Sequence, residues 1–279
     1  MTHWKLTLAY NGSGFHGWQV QPGLTTVQGT LANALFRLTG ERVLPQGSGR
    51  TDTGVHALGQ VASFPLAAPL PPGNLQRALN RVLPAGVRVL TTEIVSSDFH
   101  ARHSARGKLY EYRIFERRVR AGETGAVHER ICSPFLAPFV WDCRWPLDLE
   151  SMQEASAFLL GTQDFSAMAA SSRSNEDGEP NPVKTIYRAD WAREEDLAIF
   201  RVHGSGFLHH MVRNLVGTLV DIGRGSLALM DLPRILASRN RSQAGPTAPA
   251  SGLYLVEVFY DQSKVGPELG DAALVEAAL

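Results

Sequence analysis

The chain has 279 residues, 44% of them apolar, and a formal net charge of zero. That length and apolar share suit one large or two medium globular domains. No apolar run approaches the about 18 residues of a membrane span, and no basic-then-apolar leader opens the chain, so neither a membrane protein nor an exported one is expected.

In chain order, His3 to Tyr10 places Trp4, Leu6, Leu8 and Tyr10 on one face and reads as a strand, ended by Asn11-Gly12-Ser13-Gly14. Thr25 with Gln28 three residues later reads as a capping box, followed by Val27, Leu31, Leu35 and Leu38 at helical spacing up to Gly40. Arg42 to Gln46 reads as a short strand, Leu58 to Phe64 as another, and Leu75, Ala78, Leu79 and Val82 as a second helix between Pro72 and Pro84. The β-branched run Val87 to Val95 is a strand. This order, β-α-β-β-α-β, is the split βαβ or ferredoxin-like arrangement.

The second half repeats it. Lys108 to Glu116 is a strand, and Asp148 opens a helix closed by Gly161. Val183 to Trp191 and Leu197 to Val202 are strands, Phe207 to Leu219 marks a helix ending near Gly223, a short helix follows from Asp231, and Leu253 to Tyr260 is the last strand. The fold expected is α/β (α+β): two ferredoxin-like βαββαβ halves forming a largely antiparallel sheet with a central active-site cleft. The halves are residues 1–105 and 106–265, with a tail at 266–279. Arg117 to Cys132 reads as an exposed arginine-rich excursion, and Ser171 to Pro182 as a polar surface loop.

Charge is unevenly spread. Residues 1–130 carry 15 Lys and Arg against 8 Asp and Glu, whereas residues 131–279 carry 12 against 19. A neutral chain can thus present a basic face from its opening half. Arg102, Arg106, Lys108, Arg113, Arg117, Arg118 and Arg120 are interleaved with Phe99, Tyr110, Tyr112 and Phe115. Cations among aromatics suit single-stranded or looped RNA, where phosphates pair and bases stack; a solvated edge strand has the same pattern.

The stretch Gly47-Ser48-Gly49-Arg50-Thr51-Asp52-Thr53-Gly54-Val55-His56 is the most informative. Three glycines are poor in a helix or strand but give a backbone room beside a ligand. Asp52 is the only carboxylate between Glu41 and Glu93. A lone acid here is a candidate nucleophile or general base; on composition alone an Asx-turn is the commoner reading. Asp52-Thr53-Gly54 matches half of an aspartic-protease pair, but no second copy is present to share the proton. Arg213 is polar in an otherwise apolar helix and needs a carboxylate, with Asp190 or Asp221 as structural partners and Asp52 as the functional one. His209 and His210, adjacent on a helix, would point about 100° apart, so no shared metal is expected. Cys132 and Cys143 have no metal spacing and read as free thiols.

These residues resemble a known family. Gly49-Arg50-Thr51-Asp52-Thr53-Gly54-Val55-His56-Ala57 is similar to the G-R-T-D-A-G-V-H-A signature of the tRNA pseudouridine synthase A family, with Thr53 in place of the commoner alanine. Tyr10-Asn11-Gly12-Ser13, Gly17-Trp18-Gln19, Asp98-Phe99-His100-Ala101-Arg102, Tyr110-Glu111-Tyr112, Phe207 to Asn214 and Gly252-Leu253-Tyr254-Leu255 follow in the family's order, covering roughly residues 4–260.

The resemblance implies an isomerase that needs no cofactor or metal and converts uridine to pseudouridine in the tRNA anticodon stem-loop, at positions 38, 39 and 40. It implies Asp52 as nucleophile, leaving open attack at C6, attack at C1′ or a glycal route. Tyr110 would stack on the target base, Arg213 would pair with the aspartate, and Arg50 would fill the gap left by the flipped uridine. Leu253 and Leu255 would supply apolar walls that keep water from the detached base. A cytoplasmic homodimer acting on tRNA is implied as well. A stacked uridine hides C1′ and C6, so extrusion costs a few kcal/mol.

Overall fold

The computed structural model describes residues 1–68, 70–121, 126–170 and 181–266. In chain order its elements are β1 (Thr2–Tyr10), α1 (Val27–Thr39), β2 (Gln46–Gly47), β3 (His56–Leu66), α2 (Pro72–Val82), β4 (Val87–Val95), β5 (Gly107–Glu116), β6 (Arg118–Ala121), β7 (Ala126–Glu129), β8 (Trp141–Cys143), α3 (Leu149–Ala157), β9 (Gly161–Asp164), β10 (Val183–Glu194), β11 (Leu197–Gly204), α4 (Met211–Gly223), α5 (Asp231–Ser238) and β12 (Leu253–Phe259). They form two compact units: Met1–Lys108 with Tyr254–Lys264, and Leu109–Leu253 with Val265 and Gly266. Both mix α and β, and the ladders are largely antiparallel, as the sequence pattern predicts. No helix among the described residues is long and apolar enough to cross a membrane.

In the first unit β1 lies between β4 and β3, antiparallel to both. The other edge of β3 takes β2 antiparallel at Ala62 and Ser63, and β12 parallel at His56 and Ala57. The order 4-1-3-2 is that of a split βαβ. Alternation on β1 buries Trp4, Leu6, Leu8 and Tyr10, and the helix stripes Val27, Leu31 and Leu35 of α1 and Leu75 and Leu79 of α2 are fully buried as well. Burial of one such side chain contributes about 1.5–3 kcal/mol. α2 docks on β4 through Asn80, which accepts from Val89 N and donates to Val89 O, both at 2.8 Å.

Two local expectations are corrected here. The N-cap of α1 is Thr26, whose hydroxyl accepts from Gly29 N at 3.2 Å; Gln28 instead accepts from Val20 N at 2.9 Å. The strand expected over Arg42 to Gln46 shrinks to Gln46–Gly47. Its lead-in is held by side chains: Gln28 donates to Pro45 O, and Glu41 accepts from Ala67 N and Ala68 N. Pro45 itself has no N–H for a ladder.

The second unit orders its strands β5-β11-β10-β9, with β8 parallel on β5. β10 and β11 form a hairpin turned by Glu195, a non-glycine residue at φ 49°. On β5 the buried acids Glu111 and Glu116 are paired, as burial of charge requires. Glu111 takes Arg113 at 2.7 Å and Arg201 at 2.8 Å; Glu116 takes Arg193 and, at 2.8 Å, Leu147 N. The arginine-rich excursion contains the hairpin β6–β7. The polar loop expected over Ser171 to Pro182 lies, except for its last two residues, outside the described residues.

Candidate active site

The Asp52 loop is held from several directions within the first unit. Tyr10 Oη and Thr51 Oγ1 lie 2.8 Å apart, buried, and burial pushes the Tyr10 hydroxyl up to about 12. Trp18 N donates to Thr51 O at 3.0 Å, and Val55 N to Asp52 O at 3.1 Å. Gly12 N donates to His56 Nδ1 at 3.1 Å, and the His56 ring stacks on Tyr254 with centroids 4.8 Å apart. Thr51, Val55 and His56 are buried, Asp52 is half-buried and Arg50 is exposed. The loop therefore shows solvent an arginine and part of a carboxylate while its flanks are anchored in the core.

The glycines have other occupants beside them than a nucleotide. A Cβ on Gly47 would lie 2.5 Å from the Trp18 ring, and one on Gly49 would lie 2.8 Å from Lys108 Nζ. Gly54 adopts φ 82°, a left-handed turn. Across from the loop, Gly17 has φ 79°, and a Cβ there would stand 2.5 Å from Thr51 O.

The basic and aromatic stretch divides. Lys108 Nζ donates to Ser48 O at 2.7 Å, so this cation braces the glycine loop. Arg113 is paired with Glu111, and Arg117 with Asp142. Tyr112 and Phe115 are core residues; the Tyr112 hydroxyl donates to Pro249 O at 2.7 Å, and burial raises its pKa well above the ordinary tyrosine value. Arg102 and Arg106 are exposed. The RNA-like pattern was thus partly the signature of a buried strand with paired charges.

In the second unit Tyr110 is buried at 8% exposure and meets Phe207 edge-to-face at 5.0 Å. Arg213, half-buried on α4, donates from Nε to Ala248 O at 2.7 Å. The two acids considered as its structural partners are held by other arginines: Asp190 by Arg188, and Asp221 by Arg224 at 2.8 Å. Leu253 is buried at the start of β12, after Gly252, which abuts the Tyr112 ring. α4 begins at Met211, later than the Phe207 expected, because His210 is left-handed at φ 61°. His210 is therefore not helical, and the expected separation of about 100° is not kept: the His209 and His210 rings have centroids 3.9 Å apart.

The predicted residues Arg50 and Asp52 belong to the first unit; Tyr110, Arg213 and Leu253 belong to the second. Sequence reasoning gave no anchoring role to Tyr10, Lys108 or Ala248, nor to Gln60, which accepts from Ser48 Oγ and donates to Gly49 O. The signals available were Gln60, polar within a largely apolar strand, and Lys108, a cation of the basic stretch.

The fold is that of a mixed α/β protein carrying an acid on an anchored glycine loop. A family model described as tRNA pseudouridine synthase matches residues 7–104 and 155–261. The chain is 44% identical over 257 residues to a tRNA pseudouridine synthase A of Solibacter usitatus, covering 92% of this chain and 98% of that one. It is 42% identical over 260 residues to one of Acetivibrio thermocellus (93% and 100% covered), and 44% identical over 264 residues to one of Lacticaseibacillus casei (93% and 100%). The chain belongs to the tRNA pseudouridine synthase family, and so to the isomerases that act on uridine in tRNA.

Proposed function

We propose that this enzyme forms pseudouridine at positions 38, 39 and 40 of the tRNA anticodon stem-loop, with Asp52 as nucleophile. The observation that carries this reading is the clamped loop: Thr51 is fixed by Tyr10 and Trp18, and Asp52 is the part-exposed acid that follows it. A reacting group held in one geometry gains most from orientation. The C1′–N1 bond of uridine breaks, the base turns, and a C1′–C5 bond forms. A proton leaves C5 and one is taken up at N1. Atoms and electrons balance within the nucleotide, so the reaction calls for no oxidant, reductant or group donor.

Arg50, exposed beside Asp52, takes the place of the extruded uridine in the stack. Tyr110 receives the flipped base, Arg213 favours the ionised aspartate, and Leu253 helps to exclude water. The division into a catalytic half at 1–105, a partner half at 106–265 and a tail at 266–279 is part of this proposal. So are a homodimeric state and a cytoplasmic location, which suit an enzyme of tRNA maturation. Treating unmodified tRNA with the enzyme and mapping pseudouridine by nucleotide tests the assignment: it expects product at 38–40, and product confined to another stem would overturn it.

A further inference from the structure

Gln60 sits on β3 with no exposed surface, on a strand whose other buried residues are apolar except for His56 and Ser63. Its amide is fully used. Oε1 accepts from Ser48 Oγ at 2.7 Å and from Val61 N at 3.2 Å; Nε2 donates to Gly49 O at 3.0 Å and to Tyr10 Oη at 3.4 Å. The amide cannot be turned over, because Oε1 would then face the Gly49 carbonyl and Nε2 the Val61 N–H. With Gln60 donating to Tyr10, the Tyr10 hydroxyl proton is available to Thr51 Oγ1, 2.8 Å away. One buried side chain thus fixes residues 48 and 49 directly and residue 51 through Tyr10. Packing alone does not ask for glutamine here, since an apolar side chain of similar size fills a buried strand position without needing partners. What its four polar contacts share, Val61 N apart, is the run that ends at Asp52.

We propose that Gln60 is the positioning residue of the Asp52 loop, acting through Ser48, Gly49 and the Tyr10–Thr51 hydroxyl pair to set where the carboxylate stands. The proposal rests on the reading of Asp52 as nucleophile. It separates geometry from binding: the side chains of Gln60, Ser48, Tyr10 and Thr51 are buried under the loop, so loss of the network slows the chemical step without weakening capture of tRNA.

The test uses full-length Gln60→Met and Gln60→Glu, Tyr10→Phe, the Tyr10→Phe/Gln60→Met double variant, and Asp52→Asn as reference. Single-turnover rates at saturating unmodified tRNA are read beside tRNA affinity and the thermal midpoint. In folded Gln60→Met and Gln60→Glu the rate falls about 10–100-fold, while tRNA affinity changes by less than about threefold. Tyr10→Phe, which deletes one oxygen and keeps the packing, shows a smaller loss in the same direction, and the double variant is no slower than Gln60→Met alone because both act on one chain of bonds. Wild-type rates in folded Gln60 variants, a rate loss that only tracks the folded fraction, or a loss carried by affinity would each overturn the proposal. With Asp52→Asn inactive, such results sink the positioning role alone; an active Asp52→Asn sinks the nucleophile reading and this inference with it.

Discussion

Arg213 and Ala248 hold each other twice: Arg213 Nε donates to Ala248 O at 2.7 Å, and Ala248 N donates to Arg213 O at 3.1 Å. The tied segment continues to Pro249, whose carbonyl takes the Tyr112 hydroxyl. Lysine keeps the charge of arginine but has no Nε–H and no planar fork. Arg213→Lys is expected to lose about 1.5–3 kcal/mol of stability, as for a hydrogen bond from a charged group, to speed amide exchange at Ala248, and to slow turnover. Denaturant unfolding and exchange measurements check the first two; an unaltered Ala248 amide would show that the bond does not hold the segment.

Within the first unit Gly17 packs against the Asp52 loop at Thr51. Alanine there would occupy a left-handed φ of 79° and bring its Cβ to 2.5 Å from Thr51 O. Gly17→Ala is expected to cost about 1–3 kcal/mol and to lower activity further than the lost stability explains, because Thr51 must move. Gly14, whose added Cβ meets nothing within 4 Å, is the control, and Gly14→Ala is expected to stay within about 1 kcal/mol of the parent. Equal behaviour of the two variants in urea would count against the clamp.

Acid stability should carry a mark of His203. This residue is buried on β11 at 1% exposure, 5.0 Å from the Tyr187 ring; burial and then the Arg188 guanidinium depress its pKa from 6.5 to about 4. Between those values the unfolded chain holds more protons than the folded one, so this contribution is complete above pH 6.5 and falls as pH drops toward 4. Its full size is about 3 kcal/mol. His203→Phe is expected to flatten the stability profile in that window, measured by urea unfolding at several pH values. A parent and variant with the same slope there would contradict the assignment.

Much of the scaffold was legible because local signals and tertiary demands agreed. Val87 to Val95 is β-branched and became a strand with those bounds. Pro72 and Pro84 bracketed α2, and Gly40 closed α1. Legibility failed where a side chain from elsewhere decided the matter. Gln28 took the Pro45 carbonyl and clipped β2; a left-handed His210 delayed α4; Glu111 and Asp142 paired Arg113 and Arg117 of the basic stretch. Asp52 stood out in the sequence as a lone acid among glycines. Tyr10 and Gln60 did not, because their roles depend on separate strands arriving under one loop, which no spacing along the chain records.

Binding to tRNA is expected to weaken as salt rises, since cations such as Arg50, Arg102 and Arg106, all exposed, release counterions from phosphates. A titration from low to physiological salt should give a negative slope of log affinity against log salt, reduced by about one for each phosphate-contacting arginine removed. A flat line would remove the electrostatic account of capture.

The proposed chemistry stands on the Asp52 carboxylate. Asp52→Asn keeps the shape of the side chain and removes its charge. Incubated with unmodified tRNA under single-turnover conditions, it is predicted to form pseudouridine at least about 10⁴-fold more slowly than the parent, with tRNA affinity largely kept and no free uracil released by either protein. Pseudouridine formation by Asp52→Asn at the parent rate would rule Asp52 out as the nucleophile.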